Sequence, residues 1–239
     1  MYTTIEKVND AYYLNQGQQM LPVDALRVLP LMDLPSANYL WLLFKAALDL
    51  DVNYYHSPNG RTPRELNYEP DFYTHLGGIW ERYSQEVDRV LSVNSDIIKL
   101  IPDELKPDLI LNERYQDRQE IAVEVKRNVS ATSIDKIYRD WEKLFKFTKG
   151  NYNRHSRRYE FIPGYAAYKI GVFFFMGGTM EDLFNKLRPD LQRLKDFKNT
   201  LKDWKNRIFC VCCSGEGKLE YTTIGELFKS IKRSNNFNN

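Results

Sequence analysis

The 239-residue sequence predicts an α/β fold, a mixed β-sheet packed between helices. Apolar runs of strand length, DLIL, EIAVEV, YKIGVFFF and RIFCVCC, are separated by segments whose apolar residues recur three and four apart. The last two are unbroken apolar runs from Ile170 and from Ile208 onward, as strands covered by helices on both faces are. Their order, helix, hairpin, helix, strand, helix, strand, completes the assignment.

Residues 1–70 hold two Pro-bounded apolar stretches, LPVDALRVLPLMDL and SANYLWLLFKAALDL, and read as a mostly helical extension packed on the core. In the second stretch Ser36 stands as an N-cap after Pro35, and the apolar run to Leu50 is that of a buried helix. HSPNGRTPRELNYEPDF, rich in turn formers, is a loop. From Thr74 to Val93, Leu76, Ile79, Tyr83, Val87, Val90 and Leu91 make one apolar helix face, which leaves Glu81, Glu86 and Asp88 unexplained by packing. DLIL and EIAVEV then flank the polar NERYQDRQ as two strands. Ser133 precedes Ile134, Ile137, Tyr138, Trp141, Leu144 and Phe145 at helical spacing. A basic, aromatic loop, GNYNRHSRRYEFIPGY, leads to a buried strand that ends at Gly177-Gly178. That pair reads as a turn, because the other glycines and the Gly-Lys-Ser/Thr triplet of a phosphate loop are missing. One helix from Met180 to Trp204 and the strand RIFCVCC follow, and the Asn-rich SNNFNN reads as frayed.

Composition narrows the function classes only slightly. Lys and Arg number 34 against 32 Asp and Glu, a net charge of +2 that neither demands nor excludes a polyanionic partner. The first residues, MYTTIEKVNDAYYLNQGQQM, lack the apolar core of a signal peptide, and no run approaches the roughly 18 apolar residues of a membrane span. A soluble, cytoplasmic protein that engages no membrane is the expectation. Cys210, Cys212 and Cys213 crowd into one strand without zinc spacing and read as core residues. His56, His75 and His155 show no ligand spacing, and Tyr12-Tyr13 and Tyr54-Tyr55 read as packing residues.

The chemistry-bearing feature is the hairpin KPDLILNERYQDRQEIAVEVKRN. With its turn centred on Gln116, Asp108 faces Glu124, Leu109 faces Val123 and Leu111 faces Ile121. Alternation then sets Glu124 and Lys126 on one face, with Val123 and Val125 on the other. Like charges opposed on a sheet are destabilising, and burying them costs several kcal/mol without compensation. Two compensations are open. A divalent cation held by Asp108 and Glu124 is one; Mg²⁺ typically takes one or two carboxylates plus waters and phosphate oxygens. The other is Lys126 itself, neutralising one carboxylate as a half-buried ion pair.

Pro107-Asp108 followed by Glu124-Val125-Lys126, set in PDLIL and EIAVEVKR, resembles the PD-(D/E)XK nucleases, the restriction endonuclease-like superfamily. The resemblance covers the middle of the chain, from about Thr74 to Met176, and sets residues 71–239 apart as a nuclease-like domain. It implies a three-layer sandwich with a central mixed sheet, and a Mg²⁺-dependent phosphodiesterase, with Mn²⁺ as a substitute, acting mostly on DNA. Asp108 and Glu124 would be metal ligands, joined by the backbone carbonyl of Val125, and Lys126 the catalytic lysine. An acid from the preceding helix often joins such sites. Here Glu81 or Glu86 would supply it, not both, since five residues separate them by about 140° around a helix. The Gln-x-x-x-Tyr motif of one RecB-like branch is missing, because Ile134 stands four residues before Tyr138.

Between Lys126 and Lys169 eleven basic residues face four acids, Asp135, Asp140, Glu142 and Glu160. Arg127, Lys136, Arg139, Lys143, Arg154, Arg157 and Arg158 are the candidate nucleic-acid contacts, with Tyr152 and Tyr159 able to stack on bases. A merely solvated loop is the other reading. KDFKNTLKDWKNR, with its alternating acids, reads as an ordinary exposed helix face. The leading expectation is a nuclease, with a homodimer among the arrangements open to it; the alternative is a non-catalytic nucleic-acid-binding or protein-interaction module on the same fold.

Overall fold

The computed structural model describes residues 2–9, 11–16, 19–22, 34–50, 68–86, 91–95, 107–113, 118–214 and 217–236. Among them, nine strands form one mixed sheet in the order β3-β2-β1-β12-β11-β10-β6-β5-β4. The strands are β1 (Thr3–Val8), β2 (Ala11–Gln16), β3 (Gln19–Pro22), β4 (Leu91–Ser95), β5 (Leu109–Glu113), β6 (Arg118–Lys126), β10 (Ile170–Phe175), β11 (Ile208–Cys213) and β12 (Lys218–Thr223). β6, β10 and β11 run parallel at the centre, and the other pairings are antiparallel. β10 and β11, the sequences IGVFFF and IFCVCC, are buried at every position.

Alternation divides the core into two layers. On one face Leu109, Leu111, Ile121, Val123, Val125, Val172 and Phe174 pack against helices α1 (Leu34–Leu50) and α2 (Tyr68–Glu86). On the other, Ile110, Ala122, Phe173, Phe175, Cys210 and Cys212 meet α3 (Ile134–Lys149), α4 (Met180–Leu187), α5 (Leu191–Leu201) and α6 (Ile224–Asn236). The layers are therefore helix, sheet, helix. No helix among the described residues is long and apolar enough to cross a membrane.

β6, α3 and β10 form a crossover between adjacent parallel strands, so α3 runs back along the sheet. Ser133 caps its start, the hydroxyl accepting from the Lys136 N–H at 3.3 Å. Gly150 ends it at φ 56°, where a Cβ would come within 2.7 Å of the Glu160 carbonyl oxygen. In the β5–β6 hairpin Leu109 pairs with Val123 and Leu111 with Ile121, the register expected from the apolar alternation. Beyond Leu111 the register shifts by one, leaving Glu120 as the extra residue; it is 1 % exposed and its carboxylate accepts from Lys169 Nζ at 3.0 Å.

Several elements differ from the sequence expectation. Thr3–Val8, Ala11–Gln16 and Gln19–Pro22, within the extension read as mostly helical, are the strands β1–β3, and β1 gains its place by pairing with β12. α1 starts at Leu34, so Ser36 is a buried helix residue and not a cap. α2 starts earlier than Thr74, and Leu91 belongs to β4, not to the helix. The segment read as a basic loop folds into a small antiparallel sheet, β7 (Asn151–Asn153), β8 (Arg158–Ile162) and β9 (Tyr165–Ala166). The long helix expected over 180–204 is broken at Arg188–Asp190, a 3-10 turn, because Pro189 has no N–H to continue it. The Thr179 capping box fixes the start of α4. β12 and α6 extend the expected order. Tyr54, Tyr55, His56 and most of the turn-rich segment lie outside the described residues, as does the end of SNNFNN.

Phe173 is fully buried, its ring 6.2 Å from that of Trp141 and 4.8 Å from that of Phe175. Phe173→Ala should lower unfolding free energy by about 3–5 kcal/mol, and Thr179→Ala by about 1 kcal/mol. Urea titration of each variant against the parent checks both.

Candidate active site

The candidate side chains gather where β6 ends. Lys126 is the last residue of that strand, its carbonyl accepting from Met176 N–H at 2.8 Å, and the parallel register sets Glu124 beside Phe173 and Lys126 beside Phe175. Since Val123 and Val125 fill the α1/α2 face, Glu124 and Lys126 project toward α3. Asp108 stands just before β5, and its Oδ2 accepts from the Val125 N–H at 2.7 Å, which ties the two strands together ahead of the first paired residues.

Lys126 Nζ is the hub. It lies 3.5 Å from Asp108 Oδ2, 3.6 Å from Glu124 Oε2 and 3.2 Å from Asp140 Oδ2, and it donates to the Val125 carbonyl oxygen at 2.9 Å. Glu124 has a second cation, Lys143 Nζ, 2.5 Å from its Oε1. Asp140 and Lys143 both come from α3, three residues apart and so on one helix face. Three carboxylates thus surround the Lys126 ammonium, and Lys143 adds a second ammonium at Glu124. Their side chains grade from hidden to open: Glu124 is 1 % exposed, Lys126 11 %, and Asp108 29 %. Solvent therefore reaches the group from the Asp108 side.

Burial, then the nearby Asp108 charge, pushes the Glu124 carboxyl up to about 7, although Lys143 and Lys126 draw it down. Burial alone would lower the Lys126 pKa; Asp108, Asp140 and Glu124 outweigh it, and the pKa is raised. The lysine is accordingly held charged, while Glu124 changes charge near neutral pH.

The sequence anticipated Asp108, Glu124 and Lys126, and the fold brings them together. It missed Asp140, an acid inside the buried face that α3 shares with Ile137, Trp141 and Leu144. An acid interrupting an apolar helix stripe was the available signal. Glu81 is exposed on α2, and the Glu86 side chain lies outside the described residues. Among the described residues no three His, Cys, Asp or Glu side chains gather as metal ligands, so Glu81 does not complete the pair and Asp140 addresses Lys126 instead. The oxygens that could hold a hard cation are those of Asp108, Glu124 and the Val125 carbonyl. They already surround one positive charge, and an all-oxygen set with two carboxylates suits Mg²⁺.

The candidate nucleic-acid contacts fall into three groups. Arg127, Lys136 and Arg139 are exposed between the end of β6 and the first half of α3. Lys143 and Arg158 are engaged by the buried carboxylates of Glu124 and Glu160. Arg154 and Arg157 occupy the β7–β8 turn, past the C-terminal end of α3. The ten residues from Asp140 to Gly150 carry the chain about 15 Å along the helix axis, so closeness in sequence does not place this turn beside the carboxylates. His155 is exposed, and His75 Nε2 lies 3.9 Å from Asp49 Oδ2. Tyr12 donates to Asp49 and packs edge-on to Trp41. The three cysteines are buried, burial pushing the Cys210 and Cys212 thiols up. Gly178 takes the turn role, with φ 94°.

The raised Glu124 pKa carries a stability signature. The folded state keeps its proton at pH values where an unfolded glutamate, near 4.5, has lost it. This contribution to stability is full below pH 4.5 and is lost as pH rises to about 7. Glu124→Gln, which still accepts from Lys143, should show a flatter melting-temperature profile than the parent across that window, as thermal unfolding at several pH values reads directly. Compared with protein families, with curated proteins and with solved structures, the chain matches none.

Proposed function

We propose that this chain is a restriction endonuclease-like, Mg²⁺-dependent nuclease that hydrolyses phosphodiester bonds, with DNA as the substrate. The observation that carries the reading is the convergence of Asp108, Glu124 and the Val125 carbonyl on Lys126 Nζ, at the open carboxyl end of a parallel strand. Asp108, Glu124 and the Val125 carbonyl would hold Mg²⁺ or Mn²⁺, which when bound polarises a phosphodiester and makes water a better nucleophile. Lys126 supplies fixed positive charge toward the phosphoryl oxygens as negative charge grows there. Asp140 faces the same ammonium and favours its charged form. Arg127, Lys136 and Arg139, exposed beside the site, suit contacts with backbone phosphates.

A second reading has its own support. Each charge in the cluster already faces an opposite charge, as in a module that binds nucleic acid or protein without catalysis. Plasmid and single-stranded DNA, with RNA beside them, incubated with the protein in Mg²⁺, in Mn²⁺ and in EDTA separate the two. Cleavage that needs the ion and falls at least about 100-fold in Lys126→Ala and Asp108→Asn supports the nuclease. Cleavage indifferent to both substitutions overturns the site, and binding without cleavage favours the module.

Ion binding is measurable without activity. Mn²⁺ at about 100 times its dissociation constant should stabilise the parent by about 2.7 kcal/mol and leave the Asp108→Asn, Glu124→Gln double variant unmoved in thermal unfolding.

A further inference from the structure

The small sheet β7–β9 presents rings to solvent. Tyr152 and Tyr159 pair directly across β7 and β8, with centroids 5.4 Å apart, yet they are 56 % and 49 % exposed. Trp204 continues the row, 6.0 Å from Tyr159, and the Arg207 guanidinium stacks 4.7 Å from the Trp204 ring. Of the four large hydrophobic residues exposed in the described chain, three are tyrosines of this sheet: Tyr152, Tyr159 and Tyr165. Such a concentration is unlike the scattered apolar exposure of an ordinary surface.

The rings sit on a shaped support. Glu160, 4 % exposed, accepts from Asn153, Arg158 and the Gly164 N–H, which pins β7, β8 and the following turn together. Asn153 Oδ1 accepts from the His155 and Ser156 N–H groups, and Arg157 takes φ 56°, a left-handed conformation that closes the turn. That turn carries Arg154 and Arg157 outward; both are exposed, as is Arg207, and among the described residues none of the three has a carboxylate within ion-pair distance. Within the turn Lys202–Asn206, Asp203 stands between Lys202 and Trp204, with Lys205 following.

We propose that this surface binds single-stranded nucleic acid, bases stacking on Tyr152, Tyr159 and Trp204 while Arg154, Arg157 and Arg207 pair with phosphates. The rings meet edge to face and Tyr152 and Tyr159 remain about half exposed, so stacking on them needs bases whose own faces are free, which a duplex does not offer. Unpaired arginines around the rings match a polyanion, whereas an apolar protein partner would leave them buried without counter-charge. The surface lies beyond the far end of α3 from Asp108, and the inference does not rest on the nuclease reading.

The test uses the full chain in EDTA, where no cleavage intrudes. Fluorescence anisotropy with labelled oligothymidylate and oligouridylate of about twenty residues, longer than one such site, is compared with a duplex of equal length. Single strands should bind more tightly than the duplex. The Tyr152→Leu/Tyr159→Leu variant keeps apolar area but loses the π-faces, and it should weaken single-strand binding about tenfold or more. Arg154→Ala/Arg157→Ala should reduce the slope of log affinity against log salt by about 1.4. Binding should quench a tryptophan signal that Trp204→Phe removes. Unchanged affinity in the tyrosine variant, equal binding of duplex, or no binding of either strand each overturns the proposal. So does a surface that instead pairs two copies of the chain in sedimentation. All these side chains are at least partly exposed, and thermal unfolding of each variant reports on folding.

Discussion

A single ammonium group organises the carboxyl end of the sheet. Without Lys126, Asp108, Glu124 and Asp140 would bring three negative charges together where β5, β6 and α3 meet, and repulsion would push the hairpin away from the helix. With it, the hairpin's first residue, its last strand and the crossover helix share one counter-ion. Lys143 adds a second ion pair from the helix to Glu124, and the apolar attachments are indifferent to exact placement: Val123 and Val125 toward α1 and α2, Ile110 and Ala122 toward α3. Charge sets position; apolar packing supplies the mass of the stabilisation.

That division explains the graded exposure. A carboxylate as hidden as Glu124 keeps its place because Lys143 and Lys126 approach it from both oxygens. Asp108 is closer to water, so in the proposed reading it would meet an added cation at lower desolvation cost. The ion exchange proposed for this site would therefore take place on the Asp108 side.

Much of this was legible in the chain. The register around Asp108 followed from Leu109, Leu111, Ile121 and Val123, since a slip by one residue would turn every apolar side chain outward. The two-faced burial of β10 and β11 followed from unbroken apolar runs. Other features lacked a local signal. Asp140 joins the cluster only once α3 is laid antiparallel to β6, a tertiary fact. The basic hairpin follows the site closely in sequence, yet the same helix carries it to the other end of the sheet. β1 owes its place in the large sheet to β12, more than two hundred residues away, and no window of the early sequence contains that partner.

The pairing of β1 with β12 has a consequence for how the molecule is assembled. A chain made from its N-terminus exposes Thr3–Pro22 long before Lys218–Thr223 exist, so that flank of the sheet closes last. Until then β11, β10 and β6 can associate through contacts much closer along the chain, and the Asp108 end of the sheet can be complete before β1–β3 are joined to it through β12. β1–β3, early in the chain, are in this sense the final strands to find a place.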